Sequence, residues 1–166
     1  RHFVFSRGGS IRERQVLTMS RLSAKEGFIP FGAGKTWFRI VGEETGGKVP
    51  LLCLHGGPGF PHDYLEPLEA LAETGRRVIF YDQLGCGNST YPQVSANWMM
   101  EHFLEELAAV RGALGLERIH LLGQSWGGMV ALEYLLGKPA GVESLILASS
   151  LSSVKQWTDE ANRLRS

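Results

Sequence analysis

From residue 27 onward the chain alternates short apolar or β-branched runs with stretches of helical periodicity. Phe28 to Phe31 and Lys35 to Val41 flank Gly32-Ala33-Gly34, a spacing that predicts an antiparallel hairpin. Pro50 to His55 reads as a buried strand, His62 to Glu73 as a helix and Arg77 to Tyr81 as a strand. Asn97 to Leu114 carries Met100, Phe103, Leu104, Leu107, Val110 and Leu114 on one helical face, which predicts a helix packed on a sheet. Arg118 to Leu122 predicts the next strand, Trp126 to Leu136 a helix and Val142 to Ala148 a sixth strand. Strands alternating with helices predict the α/β class with a mostly parallel, doubly wound sheet. Beyond Ser152, the positions of Val154, Trp157, Ala161 and Leu164 predict a helix that opens a new element, so the reading expects the chain to stop inside a domain.

Composition narrows the function classes. At 166 residues the chain is long enough for one core. Seventeen Lys plus Arg balance seventeen Asp plus Glu, which leaves no net field to attract nucleic acid or an anionic membrane. The apolar runs are far too short to span a bilayer. Cys53 and Cys86 lack metal-type spacing and fall in a buried-looking strand and a glycine-rich loop, which argues against a disulfide framework and for a reducing cytoplasm. Residues 1–18 carry Arg1, Arg7, Arg12 and Arg14 against the single acid Glu13 and read as a disordered leader, with Met19 as a native start. Residues 19–150 then form the core.

Chemistry concentrates where Gly123-Gln124-Ser125-Trp126-Gly127-Gly128 joins a strand to a helix. That context marks a nucleophile elbow, a strained turn that exposes a serine hydroxyl, with Gly123, Gly127 and Gly128 letting strand and helix approach closely. Ser125 is the candidate nucleophile. Upstream, strand Leu51 to Leu54 runs into His55-Gly56-Gly57-Pro58-Gly59, where such a fold puts an oxyanion loop. The candidate donors are the backbone N–H groups of Gly57 and of Trp126, the latter at a helix N-terminus. In this fold the triad runs Ser, then Asp or Glu, then His, yet the five histidines are His2, His55, His62, His102 and His120, and none follows Ser125.

Taken in order, His55-Gly56-Gly57-Pro58-Gly59, Asp82-Gln83-Leu84-Gly85-Cys86-Gly87-Asn88-Ser89 and the elbow resemble the proline iminopeptidase family of α/β-hydrolase serine aminopeptidases over about residues 27 to 165. Phe60-Pro61-His62-Asp63-Tyr64-Leu65 and Leu151-Ser152-Ser153 are similar to its tricorn-protease-interacting branch. The resemblance implies an α/β-hydrolase fold represented by its N-terminal six strands, with residues 151–166 opening a cap domain. It implies release of an N-terminal residue, often proline, from short peptides without a cofactor or metal. It also implies a complementary C-terminal segment that brings the Asp and the His. Leu84 and Asn88 stand where the family carries arginines, which opens the substrate details.

The remaining residues receive structural roles. Asp82 and Gln83 lie at a strand's C-terminal end, where open sheets place ligands, and Asp82 is assigned to bonding the backbone of neighbouring loops. His55 is expected to brace the oxyanion loop, and Cys86 to pack. His120 is expected to be buried and satisfied, and His62 and His102 to be solvent-facing or structural. Two other readings stay open: an α/β-hydrolase amidase or esterase of another specificity, and a pseudo-hydrolase that binds without turnover.

Overall fold

A computed structural model of the chain describes residues 22–43, 45–91 and 99–165. The leader reading of residues 1–18 therefore lies outside the described residues, as do Asn97 and Trp98. The strands are β1 (Ala24–Phe31), β2 (Gly34–Val41), β3 (Leu51–Leu54), β4 (Val78–Tyr81), β5 (Ile119–Gln124) and β6 (Val142–Ala148). The helices are α1 (Met100–Ala113), α2 (Trp126–Leu136), α3 (Val154–Arg165) and a 3₁₀ helix over Asp63–Thr74.

All six strands form one sheet in the order β1-β2-β4-β3-β5-β6. β1 and β2 make the hairpin and β2 runs antiparallel to β4, whereas β4, β3, β5 and β6 are mutually parallel. Because successive side chains of a strand point to opposite faces, the apolar runs of the central strands split cleanly between two cores. Leu52, Leu54, Ile79, Tyr81, Ile119 and Leu121 face Phe103, Leu107 and Val110 of α1 and Val130 and Ala131 of α2. Leu51, Cys53, Val78, Phe80 and Leu122 face the 3₁₀ helix through Leu65 and Ala72. The sheet is thus covered on both sides, which is the doubly wound arrangement the alternation implied.

Several elements differ from the pattern-based expectation. The segment assigned to His62–Glu73 is 3₁₀ rather than α-helical, with Pro67 in its middle lacking the N–H a ladder needs. β1 begins four residues earlier than Phe28, because register with β2 from Ala24↔Val41 carries polar residues into the strand. β5 continues through Gly123 and Gln124, which pair with Leu147 and Ala148 of β6. Among the described residues β6 has a strand neighbour on one side only. α3 buries none of its side chains, and Trp157 on it is 55% exposed. Cys53 and Cys86 are both free thiols and both buried.

Candidate active site

Strand β5 delivers the chain to Ser125 and α2 leaves from it, with Ser125 itself at φ 51 and ψ −115. A non-glycine residue at positive φ carries on the order of 1–3 kcal/mol of strain and persists only where its surroundings over-determine it. Here they do. The Ser125 N–H donates to Ala148 O at 2.9 Å, and its carbonyl accepts from Gly128 N–H at 3.0 Å and from Ser150 Oγ at 3.0 Å. Strand and helix meet so closely that a Cβ on Gly123 would lie 2.5 Å from Gly127 O and from Gly128 Cα. One on Gly127 would press on the Leu54 and His55 carbonyls, and one on Gly128 on the Ser150 side chain.

Ser125 lines an open cleft of about 300 Å³ together with Gly56, Gly57, Phe60, Tyr64 and Gln124. Of the two candidate donors, Gly57 lines this cleft and Trp126 follows Ser125 directly in the chain. Trp126 N–H is the first of α2 and so has no intrahelical acceptor, and it sits at the positive end of the helix dipole. Gly57 has φ +132, a conformation L side chains rarely adopt, and precedes Pro58 through a cis bond. Gly59, next in the loop, is also at positive φ. Tyr64 closes one wall: its hydroxyl accepts the Gly56 N–H at 2.5 Å and donates to Gln124 Oε1 at 2.6 Å.

His55, fully buried, uses both ring nitrogens. Nε2 accepts the Gln83 backbone N–H at 2.8 Å, which leaves Nδ1 as the protonated nitrogen, and Nδ1–H donates to Gly56 O at 2.8 Å. Burial holds its pKa below the usual histidine range, against the raising effect of the Gly56 carbonyl and Asp82, so the ring is a neutral strut. Asp82 accepts four bonds: His62 N–H at 3.0 Å and His62 Nδ1 at 2.8 Å on one oxygen, Asn88 N–H at 2.8 Å and Asn88 Nδ2 at 3.2 Å on the other. Burial opposes its charge, but His62 and the two backbone N–H groups outweigh that and keep the carboxyl below the ordinary range.

The solvent-facing option for His62 is corrected. The residue is 5% exposed, and its ring packs on Trp37 at 4.4 Å and turns its other nitrogen toward Glu66, so the His62–Asp82 pair ties the loop to the 3₁₀ helix. His120 is only partly buried, and its Nδ1 pairs with Ser144 Oγ on the neighbouring strand. His102 lies on α1. Among the described residues no histidine lines the Ser125 cleft. Nor does any group of three His, Cys, Asp or Glu among them form a metal-binding cluster.

Three partners escaped the sequence reading. Tyr64 had no signal beyond its motif, and Ser150 lies past the last strand with nothing to mark it. Glu106 did have one: it is an acid three residues after Phe103, on the buried face of α1, where its Oε1 meets Thr36 Oγ1 at 2.5 Å and its Oε2 accepts Leu84 N–H at 3.1 Å.

The family model for the alpha/beta hydrolase fold matches residues 49–166. The proline iminopeptidase of Clostridioides difficile (strain 630) is 53% identical over 139 residues, covering 83% of this chain and 47% of the relative. That of Lactobacillus delbrueckii subsp. lactis is 54% identical over 143 residues, covering 84% and 48%. The crystal structure of proline iminopeptidase from Mycobacterium smegmatis superposes with a TM-score of 0.78 at 43% identity, covering 85% of this chain and 49% of that one. The chain spans about half the length of the curated relatives it matches.

Proposed function

This chain belongs to the alpha/beta hydrolase fold family, and from that premise we propose that Ser125 is the nucleophile of a serine aminopeptidase releasing an N-terminal residue, often proline, from short peptides. The observation that carries the reading is Ser125 held at positive φ between β5 and α2, in a cleft shared with Gly57. The relatives named proline iminopeptidase support the substrate class.

In this reading Ser125 Oγ attacks the carbonyl carbon of the first peptide bond and its proton passes to a base, while the carbonyl electrons move onto oxygen. The N–H groups of Gly57 and Trp126 receive that oxyanion, each such donor contributing about 3 kcal/mol to the transition state. Collapse expels the amine of the shortened peptide, which takes the proton from the base. Water then repeats the sequence on the acyl-enzyme, frees the amino acid and restores Ser125. In this reading the base is a histidine oriented by an aspartate, both carried by a complementary C-terminal segment. None of these steps calls on a cofactor. The two buried free thiols fit a reducing compartment, so the proposed location is the cytoplasm. No helix among the described residues is long and apolar enough to cross a membrane.

A pseudo-hydrolase would have no use for a serine held in a strained turn, and one substitution separates the readings. In the protein carrying the complementary segment, Ser125→Ala should abolish prolyl-arylamide turnover while the unfolding midpoint stays level or rises as elbow strain relaxes. Hydrolysis that survives in this variant, after contaminating peptidase has been excluded, would mean that Ser125 is not the nucleophile.

A further inference from the structure

The two oxyanion donors come from different elements, Gly57 from the loop after β3 and Trp126 from the start of α2, so something must hold them at a fixed separation. One buried side chain bonds both to His55, at the head of the loop that carries Gly57, and to the Trp126 ring. Gln83, 1% exposed and two residues past the end of β4, donates from Nε2 to His55 O at 2.7 Å and accepts the Trp126 indole N–H on Oε1 at 3.1 Å. Its backbone N–H also donates to His55 Nε2.

That last bond reaches the oxyanion arm through the ring. By occupying Nε2 it leaves the proton on Nδ1, which grips Gly56 O. The Gly56–Gly57 peptide is not among the cis bonds, and a trans peptide points its C=O and N–H in opposite directions. Fixing Gly56 O therefore fixes the direction of Gly57 N–H. On the other side, the Trp126 ring is held at its nitrogen by Gln83 and packs edge-on against Phe103 at 5.2 Å, which anchors the first residue of α2.

We propose that Gln83 is a positioning residue whose amide clamps the two arms of the oxyanion hole together, with its backbone N–H setting the histidine tautomer that aims one of them. The proposal rests on the assignment of Gly57 and Trp126 as oxyanion donors. A carbonyl oxygen is held less tightly in the ground state than the oxyanion that replaces it, so slack in the clamp acts on the chemical step rather than on substrate binding. Buried Gln83 cannot be replaced by water, and loss of a buried neutral hydrogen bond of about 1 kcal/mol on each arm corresponds to a rate loss of roughly tenfold to thirtyfold.

The test is a double-mutant cycle in the protein with its complementary segment, read on prolyl arylamide. Gln83→Met keeps the side-chain length and removes both side-chain bonds, and Trp126→Phe keeps a six-membered aromatic ring while removing the five-membered ring with its N–H. The expected result for Gln83→Met is a kcat lower by about tenfold or more with KM moved less than twofold, and a proportionate loss of affinity for an amino-aldehyde inhibitor that forms the tetrahedral oxyanion. Trp126→Phe should lower kcat by a few-fold in the parent and cost little more once Gln83 is already methionine. An unchanged kcat in folded Gln83→Met, a rise confined to KM, or losses that simply multiply would each overturn the clamp. If Gln83→Met does not fold, Trp126→Phe decides, because an unchanged kcat there overturns it equally. Ser125→Ala run in parallel keeps the two ideas apart: activity that persists without Ser125 sinks the hydrolase reading, whereas activity lost without Ser125 but indifferent to Gln83 sinks only the clamp.

Discussion

Glu106 turns a single side chain into a pH dependence of the whole fold. Burial pushes its carboxyl up from the ordinary 4.5 to about 7, with the bonds from Thr36 and Leu84 opposing the rise and the charge on Asp82 adding to it. Between those two values the native state keeps a proton that the unfolded chain has released, so stability falls as pH rises through the window. The stabilisation is complete below the unfolded value and lost above about 7, and it amounts to roughly 3 kcal/mol. Glu106→Gln mimics the protonated acid, accepting from Leu84 and donating to Thr36 Oγ1 in place of receiving from it. Denaturant unfolding at pH 5 and pH 8 should show the variant gaining on the parent at the higher pH; an identical difference at both would refute the assignment. Residues of this kind divide by whether their neighbours lie close in sequence. The turn at Ser125 and Trp126 and the positive-φ glycine at Gly57 were legible because each sits at a junction with a local sequence pattern. Tyr64 was not, since its partners Gly56 and Gln124 lie 8 and 60 positions away and only folding brings them together.

Elements were legible where one core claims a whole face and illegible where pairing carries a strand past its apolar run. α2 and β6 have the predicted limits, whereas β1 gains Ala24 to Gly27, three polar or small residues and a glycine lying under the Phe38 ring, only because β2 supplies the register. Propensity also cannot separate an α-helix from a 3₁₀ helix around Pro67, where the two share most of their apolar spacing. The elbow is where element geometry bears hardest on function. In Gly123→Ala the new methyl meets backbone on two sides, which costs about 1–3 kcal/mol and shifts Ser125 with it. Gly112, in the last turn of α1, has nothing within 4 Å of the same position, so Gly112→Ala should add up to about 1 kcal/mol through helix propensity alone. Thermal unfolding of the pair should move in opposite directions, with turnover lost only in the first; a common direction would mean that the elbow is not closely packed.

At the scale of the molecule, the layered sheet followed from the alternation of strands and helices, while strand order did not, because sequence order does not say that β4 inserts beside β2 and leaves β3 next to β5. Apolar surface is unevenly covered. Ile146 and Leu147 on β6 are each 45% exposed, and Val154, Trp157 and Leu164 make an apolar stripe along α3. A strand edge left unpaired among the described residues, together with such a stripe, recruits a partner, so the 166-residue chain by itself should elute as a dimer or larger assembly in size-exclusion chromatography with light scattering. A monodisperse monomer with one sharp unfolding transition would contradict this. The two buried thiols lie at different depths of the same architecture. Cys53 is in the central strand β3 between two parallel neighbours, and burial raises its pKa, while Cys86 sits in the loop after Gln83 with its Sγ 3.4 Å from Leu84 O. A thiol reagent reaches the first only when the sheet itself comes apart, but reaches the second when that loop lifts. Their labelling rates should therefore time two different events, global unfolding at Cys53 and the lifting of the loop after Gln83 at Cys86.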